Sequence, residues 1–202
     1  MTLKHLAVSL FVALLSTAPD CGGEPAFAAP VDGVEAPLTV DQIVNGVMAK
    51  VPSEGCLYNR EGKGCAKQFE HGAGFQRGPD ARRIAEAIAR TADGRITGSK
   101  RTDAALMAVF SSYESGNKAD AVGDGGKSYG AWQIRYLGDA MFDPALAAPA
   151  WRSIAIESIR VCKDNAPDQQ LASVAGGCRI HQAQVKVRQR VALARDLAAA
   201  VQ

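Results

Sequence analysis

The sequence is poor in the features that mark several common functional classes. Only 6% of its 202 residues are aromatic, and its formal charge is +2. No Lys/Arg run gathers that small excess into a patch, which argues against a nucleic-acid partner. Histidine is scarce, with three in the chain, and no C-x-x-C occurs. A zinc site therefore has no ligand set with the usual spacing, and no metal or other cofactor is expected. Past the N-terminal leader no apolar run is long enough to span a bilayer, so no stable membrane insertion is expected. Clean apolar/polar alternation is also missing, which argues against a substantial sheet.

The first residues read as an export signal. Lys4 and His5 precede the apolar run "LAVSLFVALL" at residues 6–15, and Ala26-Phe27-Ala28 is a small-x-small cleavage site. Residues 1–28 are thus expected to be a signal peptide, and the mature protein periplasmic or extracellular. Cys21 raises the alternative of a lipoprotein, but the "APD" before it lacks the small and aliphatic residues that acylation favours. Four cysteines remain after cleavage: Cys56, Cys65, Cys162 and Cys178. An even set fits an oxidising compartment, and the simplest of three connectivities pairs neighbours, Cys56–Cys65 and Cys162–Cys178.

What is present is mostly helical pattern. Residues 29–38 are rich in Pro, Ala and Gly and read as a lead-in. "TVDQIVNGVMAKV" puts Ile43, Val44, Val47 and Met48 on one face, with Thr39 or Asp41 as cap. Residues 52–79 read as a Gly- and charge-rich loop around the first cysteine pair. Asp80 is expected to cap one helix and Thr102 "DAALMAVFSSYES", while Pro149 opens "AWRSIAIESIRVC" and Pro167-Asp168 opens "QQLASVAGG". Residues 179–201 form a last amphipathic run, on which Lys186, Arg188, Arg190 and Arg195 read as a solvated face. The expected class is all-α. A signal at 1–28 and an extension at 29–79 precede a catalytic domain at 80–202.

The residue that carries chemistry is Glu114. In "DAALMAVFSSYES" it follows Met107 and Phe110 at i+7 and i+4, so it continues an apolar stripe. It also sits in the last turn, ahead of Gly116 and Asn117, where the helix dipole is negative. Burial and dipole both favour a carboxyl that keeps its proton, as a general acid must. The competing reading is a glutamate at a helix edge, solvated or salt-bridged.

The loop that follows, "GDGGKSYGAWQI", fits G-x-S-x-G at residues 126–130 and contains "GKS". Neither a nucleophile elbow nor a phosphate loop is supported, because both need a preceding strand that "NKADAVGDGG" does not supply. Glycines at 123, 125, 126 and 130 instead allow close backbone approach. Tyr129 and Trp132 offer flat faces for sugar rings, and Gln133 offers a donor and an acceptor. Core packing is the alternative for Trp132.

"LMAVFSSYESGN…GDGGKSYGAWQI" resembles the lysozyme-like superfamily of goose-type lysozymes and soluble lytic transglycosylases. There a helix ends in Glu-Ser, with the Glu as catalytic acid, and a loop leads to a Gly-to-Gln segment. Glu114-Ser115 and Gly130-Ala131-Trp132-Gln133 match those two pieces. Gly123-Asp124 and Tyr129-Gly130 are similar to the goose-type loop, which puts Asp124 where that family has an aspartate that helps hold water. Arg135 stands where those enzymes have a second aspartate, and Ser173-Val174 where transglycosylases have Tyr-Asn.

The resemblance implies a monomeric lysozyme-like domain that cuts the MurNAc-β-1,4-GlcNAc bond of peptidoglycan. Glu114 would be its acid, Asp124 a water-orienting carboxylate or a bystander, and Tyr129, Trp132 and Gln133 its substrate contacts. Ser115 would steady the helix end. It leaves open a muramidase, a lytic transglycosylase, and a non-catalytic peptidoglycan- or sugar-binding protein on the same fold.

Overall fold

The computed structural model describes residues 35–52, 79–135 and 137–201. The expected signal peptide and the Cys56–Cys65 bridge lie outside those residues. The described chain starts with a reciprocal cap. Thr39 N–H donates to Gln42 Oε1 at 2.9 Å, and Gln42 N–H donates to Thr39 Oγ1 at 3.2 Å. A π-helical turn, Gln42–Val47, and a 3₁₀ turn, Met48–Lys50, follow. Ile43, Val47 and Met48 are fully buried there and join the main core. This segment packs on three of the long helices, so the core domain starts well before residue 80.

Helix α1 (Pro79–Thr91) turns Ile84 and Ile88 inward and ends just ahead of Gly94, whose φ is +89°. Helix α2 (Lys100–Ser115) is capped by Ser99, which accepts from the N–H of Thr102. The cap thus lies three residues earlier than the sequence suggests. All nine residues from 103 to 111 are buried. A helix buried on every side is an internal axis rather than an amphipathic surface helix.

Three antiparallel strands of two residues each come next: β1 (Val122–Gly123), β2 (Ser128–Tyr129) and β3 (Ile134–Arg135). Val122 faces Tyr129, and Tyr129 faces Ile134. This small meander was not expected, because two-residue strands are too short to show alternation. Among the described residues the class remains all-α.

Helix α3 (Pro144–Val161) begins earlier than the sequence reading placed it. Asp143 caps it through Ala145 N–H, Pro144 occupies the first turn, and Pro149 lies inside the helix, exposed. Burial of Ala147, Ala148 and Trp151 holds that helix through the proline. "QQLASVAGG" forms turns after the 3₁₀ segment Pro167–Gln169 rather than a long helix. The Cys162–Cys178 disulfide closes this loop. Helix α4 (His181–Ala200) then packs along α2, while α1 packs on α3.

Candidate active site

Glu114 stands where the buried axis reaches the surface. Gly116, at φ +65°, stops α2 just beyond it. Asn117, also left-handed, pins the end: its Oδ1 accepts from Ser111 Oγ at 2.6 Å, and its Nδ2 donates to Ser112 Oγ at 3.0 Å. Ser115 Oγ donates to Ser111 O and accepts from Lys118 N–H, so it belongs to the helix end and not to the ligand surface. The carboxyl carrier is therefore held by hydrogen bonds on both sides.

The partner of Glu114 comes from α4. Arg190 Nη1 donates to Glu114 Oε1 at 2.5 Å. The arginine side chain is 0% exposed against 27% for the glutamate. Its guanidinium lies 4.8 Å from the Phe110 ring centroid and 4.9 Å from that of Tyr113. Each such contact is worth roughly 0.5–2 kcal/mol. Phe110, Tyr113 and Glu114 share one face of α2, so the helix that carries the carboxyl also carries the stack that fixes its counter-ion.

Arg190 corrects the reading of the α4 cations as a solvated face. Arg188 and Arg195 are exposed, but Arg190 is not. The sequence held the signal. Arg190 lies seven residues after Ala183, three after Val187 and four before Ala194, on the helix's own buried stripe.

The meander supplies the facing residues. Asp124, at φ +50°, accepts from Ser128 Oγ at 2.7 Å and pairs with Arg135 Nη2 at 2.6 Å. The Ser128 hydrogen bond and the Arg135 guanidinium hold its carboxyl below the usual range. Gln133, also at φ +50°, donates through Nε2 to Ala121 O and Gly130 O. A Cβ on Gly123 would lie 2.1 Å from its Oε1, so that glycine makes room for the amide.

Glu114, Asp124, Ser128, Gln133 and Arg135 line one groove of about 460 Å³, together with residues 173–176 and Lys186. A second hollow of about 620 Å³ shares Ala175, Gly176 and Lys186 and runs on to His181 and Gln182. The groove thus brings together Glu114, Asp124 and Gln133 from the sequence-derived set.

Trp132 and Tyr129 lie elsewhere. Trp132 is 3% exposed and its indole N–H donates to Met107 O at 2.9 Å. It belongs to the core, which corrects its reading as a sugar platform. Tyr129 packs on Phe142 at 5.7 Å, and its hydroxyl donates to Gly126 O. It braces the turn and does not line the groove.

No family model, curated protein or solved structure matches the chain. The chemistry open to the site therefore rests on its own residues. It combines a carboxyl at a rigid helix end that is salt-bridged to a buried arginine, as the competing sequence reading of Glu114 has it, a second carboxylate paired with an exposed arginine, and a polar groove that both line. Among the described residues no group of His, Cys, Asp and Glu is placed to hold a metal ion.

Proposed function

We propose that the protein is an exported, lysozyme-like enzyme that cleaves the glycan strand of peptidoglycan at the MurNAc-β-1,4-GlcNAc bond by lytic transglycosylation. The observation that carries this reading is the position of Glu114, half-buried at the end of the central helix and lining a polar groove. The sequence resemblance around Glu114-Ser115 and residues 130–133 supports it.

In the proposed reaction Glu114 first takes up a proton on its second oxygen while Oε1 stays bonded to Arg190, and gives that proton to the glycosidic oxygen as the C1–O bond breaks. The C6 hydroxyl of the same muramoyl residue closes on C1, and its proton returns to the Glu114 carboxylate. No water is consumed, and one carboxyl serves as acid and then as base. The engagement of Asp124 by Ser128 and Arg135 favours this route over inverting hydrolysis, which needs a second carboxylate free to activate water.

Mass spectrometry of muropeptides released from purified cell wall tests the reading. Products with 1,6-anhydro ends are expected, and Asp124→Asn should reduce their yield only a few-fold, since general-base help is commonly worth about 10²–10⁴-fold where it operates. Reducing MurNAc ends would mean hydrolysis. Retention of wall fragments without cleavage would identify a binding protein instead, an outcome that the Glu114–Arg190 ion pair makes worth testing directly.

A further inference from the structure

We propose that Arg190 is the positioning residue for Glu114: it fixes the carboxyl that faces the groove and meets the charge left on it when a proton departs. The inference rests on the proposed use of Glu114, but its structural core can be tested independently.

Three observations carry it. First, the guanidinium is fully buried and bonded to Glu114 Oε1 at 2.5 Å. A buried cation is costly unless paired, so the carboxyl and the cation constrain each other. Second, the guanidinium lies over the rings of Phe110 and Tyr113, both borne by the helix that bears Glu114. It is therefore held against α2 itself by aromatic contacts that a lysine ammonium would not reproduce. Third, Oε1 is the atom engaged, so the carboxyl stays anchored while it lines the groove. A preorganised cation beside the proton-donating group stabilises the charge that forms there without reorganising at the moment of reaction.

The surroundings match this role better than a purely structural one. An ion pair kept only for stability needs no groove beside it, and replacing such a pair with apolar residues is often neutral or favourable. Here the carboxyl end opens on the groove whereas the guanidinium end is sealed in the core.

The test uses the full mature chain carrying Arg190→Met, Arg190→Lys or Tyr113→Leu. High-resolution crystal structures should show the Glu114 carboxyl displaced or split between rotamers in Arg190→Met, with the α2 backbone unchanged. Turnover of a soluble muropeptide oligomer, measured well below each variant's Tm, should fall about 10²-fold in Arg190→Met, as expected for a misplaced catalytic group. KM should change less than kcat. Arg190→Lys should recover part of the loss, and Tyr113→Leu, which loosens the stack but keeps the guanidinium, should lie between.

A Glu114 carboxyl that keeps its place in Arg190→Met overturns the proposal, as does a kcat loss no larger than the unfolded fraction. If the parent protein cuts no glycan, the proposed function fails, and the rotamer of Glu114 alone then decides the role of Arg190. If Arg190→Met does not fold, Arg190→Lys and Tyr113→Leu carry the same two readouts.

Discussion

At the scale of single residues, the Glu114–Arg190 pair links stability to the site. The sequence suggests that Glu114→Gln is nearly isosteric and harmless to the fold. With a buried guanidinium on the other side, the amide offers Arg190 a weaker acceptor than the carboxyl oxygen it replaces. Hydrogen bonds to charged groups contribute about 1.5–3 kcal/mol, and a loss of that order is expected, reduced by the partial exposure of Glu114. Thermal unfolding should register it as a lower Tm, and the proposed wall lysis should drop by about 10²–10⁴-fold. An unchanged Tm would show that the pair adds nothing to stability.

Asp103 is a second buried carboxyl with a separate signature. It accepts from Ile96 N–H, Thr97 N–H and the Thr97 hydroxyl, which ties the α1–α2 turn to α2. Burial nonetheless lifts its carboxyl above the usual aspartate range. A group whose folded form holds its proton more tightly than the unfolded chain contributes stability at low pH. That contribution is lost as pH rises from the unfolded value through the raised one. The stability difference between the parent and Asp103→Asn should therefore shrink as pH increases through that window. Denaturant unfolding at a series of pH values measures it, and a difference that grows with pH would contradict the assignment.

At the scale of elements, the meander is the part most sensitive to glycine. Gly130 has φ +76°, and a Cβ there would lie 1.9 Å from Met141 O. Gly125 has φ +65° but nothing within 4 Å. Gly125→Ala should cost about 1–2 kcal/mol, the strain of a left-handed L-residue. Gly130→Ala should cost clearly more, because the Met141 carbonyl cannot give way without shifting its 3₁₀ segment, Gly138–Phe142. Equal losses in chemical denaturation would mean that the close approach is not a constraint.

The same element shows where sequence reading reaches its limit. The long helices were legible in apolar spacing, because a 3.6-residue period repeats often enough to be seen, but the caps of α2 and α3 lie earlier than the sequence suggests. Strands of two residues give no period at all. The start of α3 was misplaced because Pro149 looks like a first-turn residue, whereas tertiary burial of the alanines before it carries the helix through. Glu114 was legible because it continues an apolar stripe with a carboxyl. Arg190 was not, because a long basic side chain on a helix is usually solvated, and only its in-phase position against Val187 and Ala194 marked it as buried. Trp132 was ambiguous from sequence, since one indole serves equally well as a sugar platform or as core with its N–H satisfied by a carbonyl.

At the scale of the whole molecule, the Cys162–Cys178 bridge encloses residues 173–176, which line the groove. The bridge spans a sequence separation of 16. A loop near that size corresponds to about 3 kcal/mol of stabilisation in the chain-entropy model. Cys162→Ser/Cys178→Ser, or mild reduction, should therefore lower Tm. It should also weaken the proposed wall lysis at temperatures where the protein is still folded, since one side of the groove loses its tether. Lost stability with full activity would separate the bridge from the site. The chain has two tryptophans, Trp132 and Trp151, and both are buried, at 3% and 1% exposure. Its intrinsic fluorescence therefore reports on the core and not on the groove. Emission should be blue-shifted in the native state and move sharply to the red on unfolding, which makes it a sensitive optical gauge of folding. Titration with glycan fragments should leave it nearly unchanged. Ligand binding to this protein has to be followed by calorimetry or by nuclear magnetic resonance of the groove residues, and a flat fluorescence titration is not a sign that nothing binds.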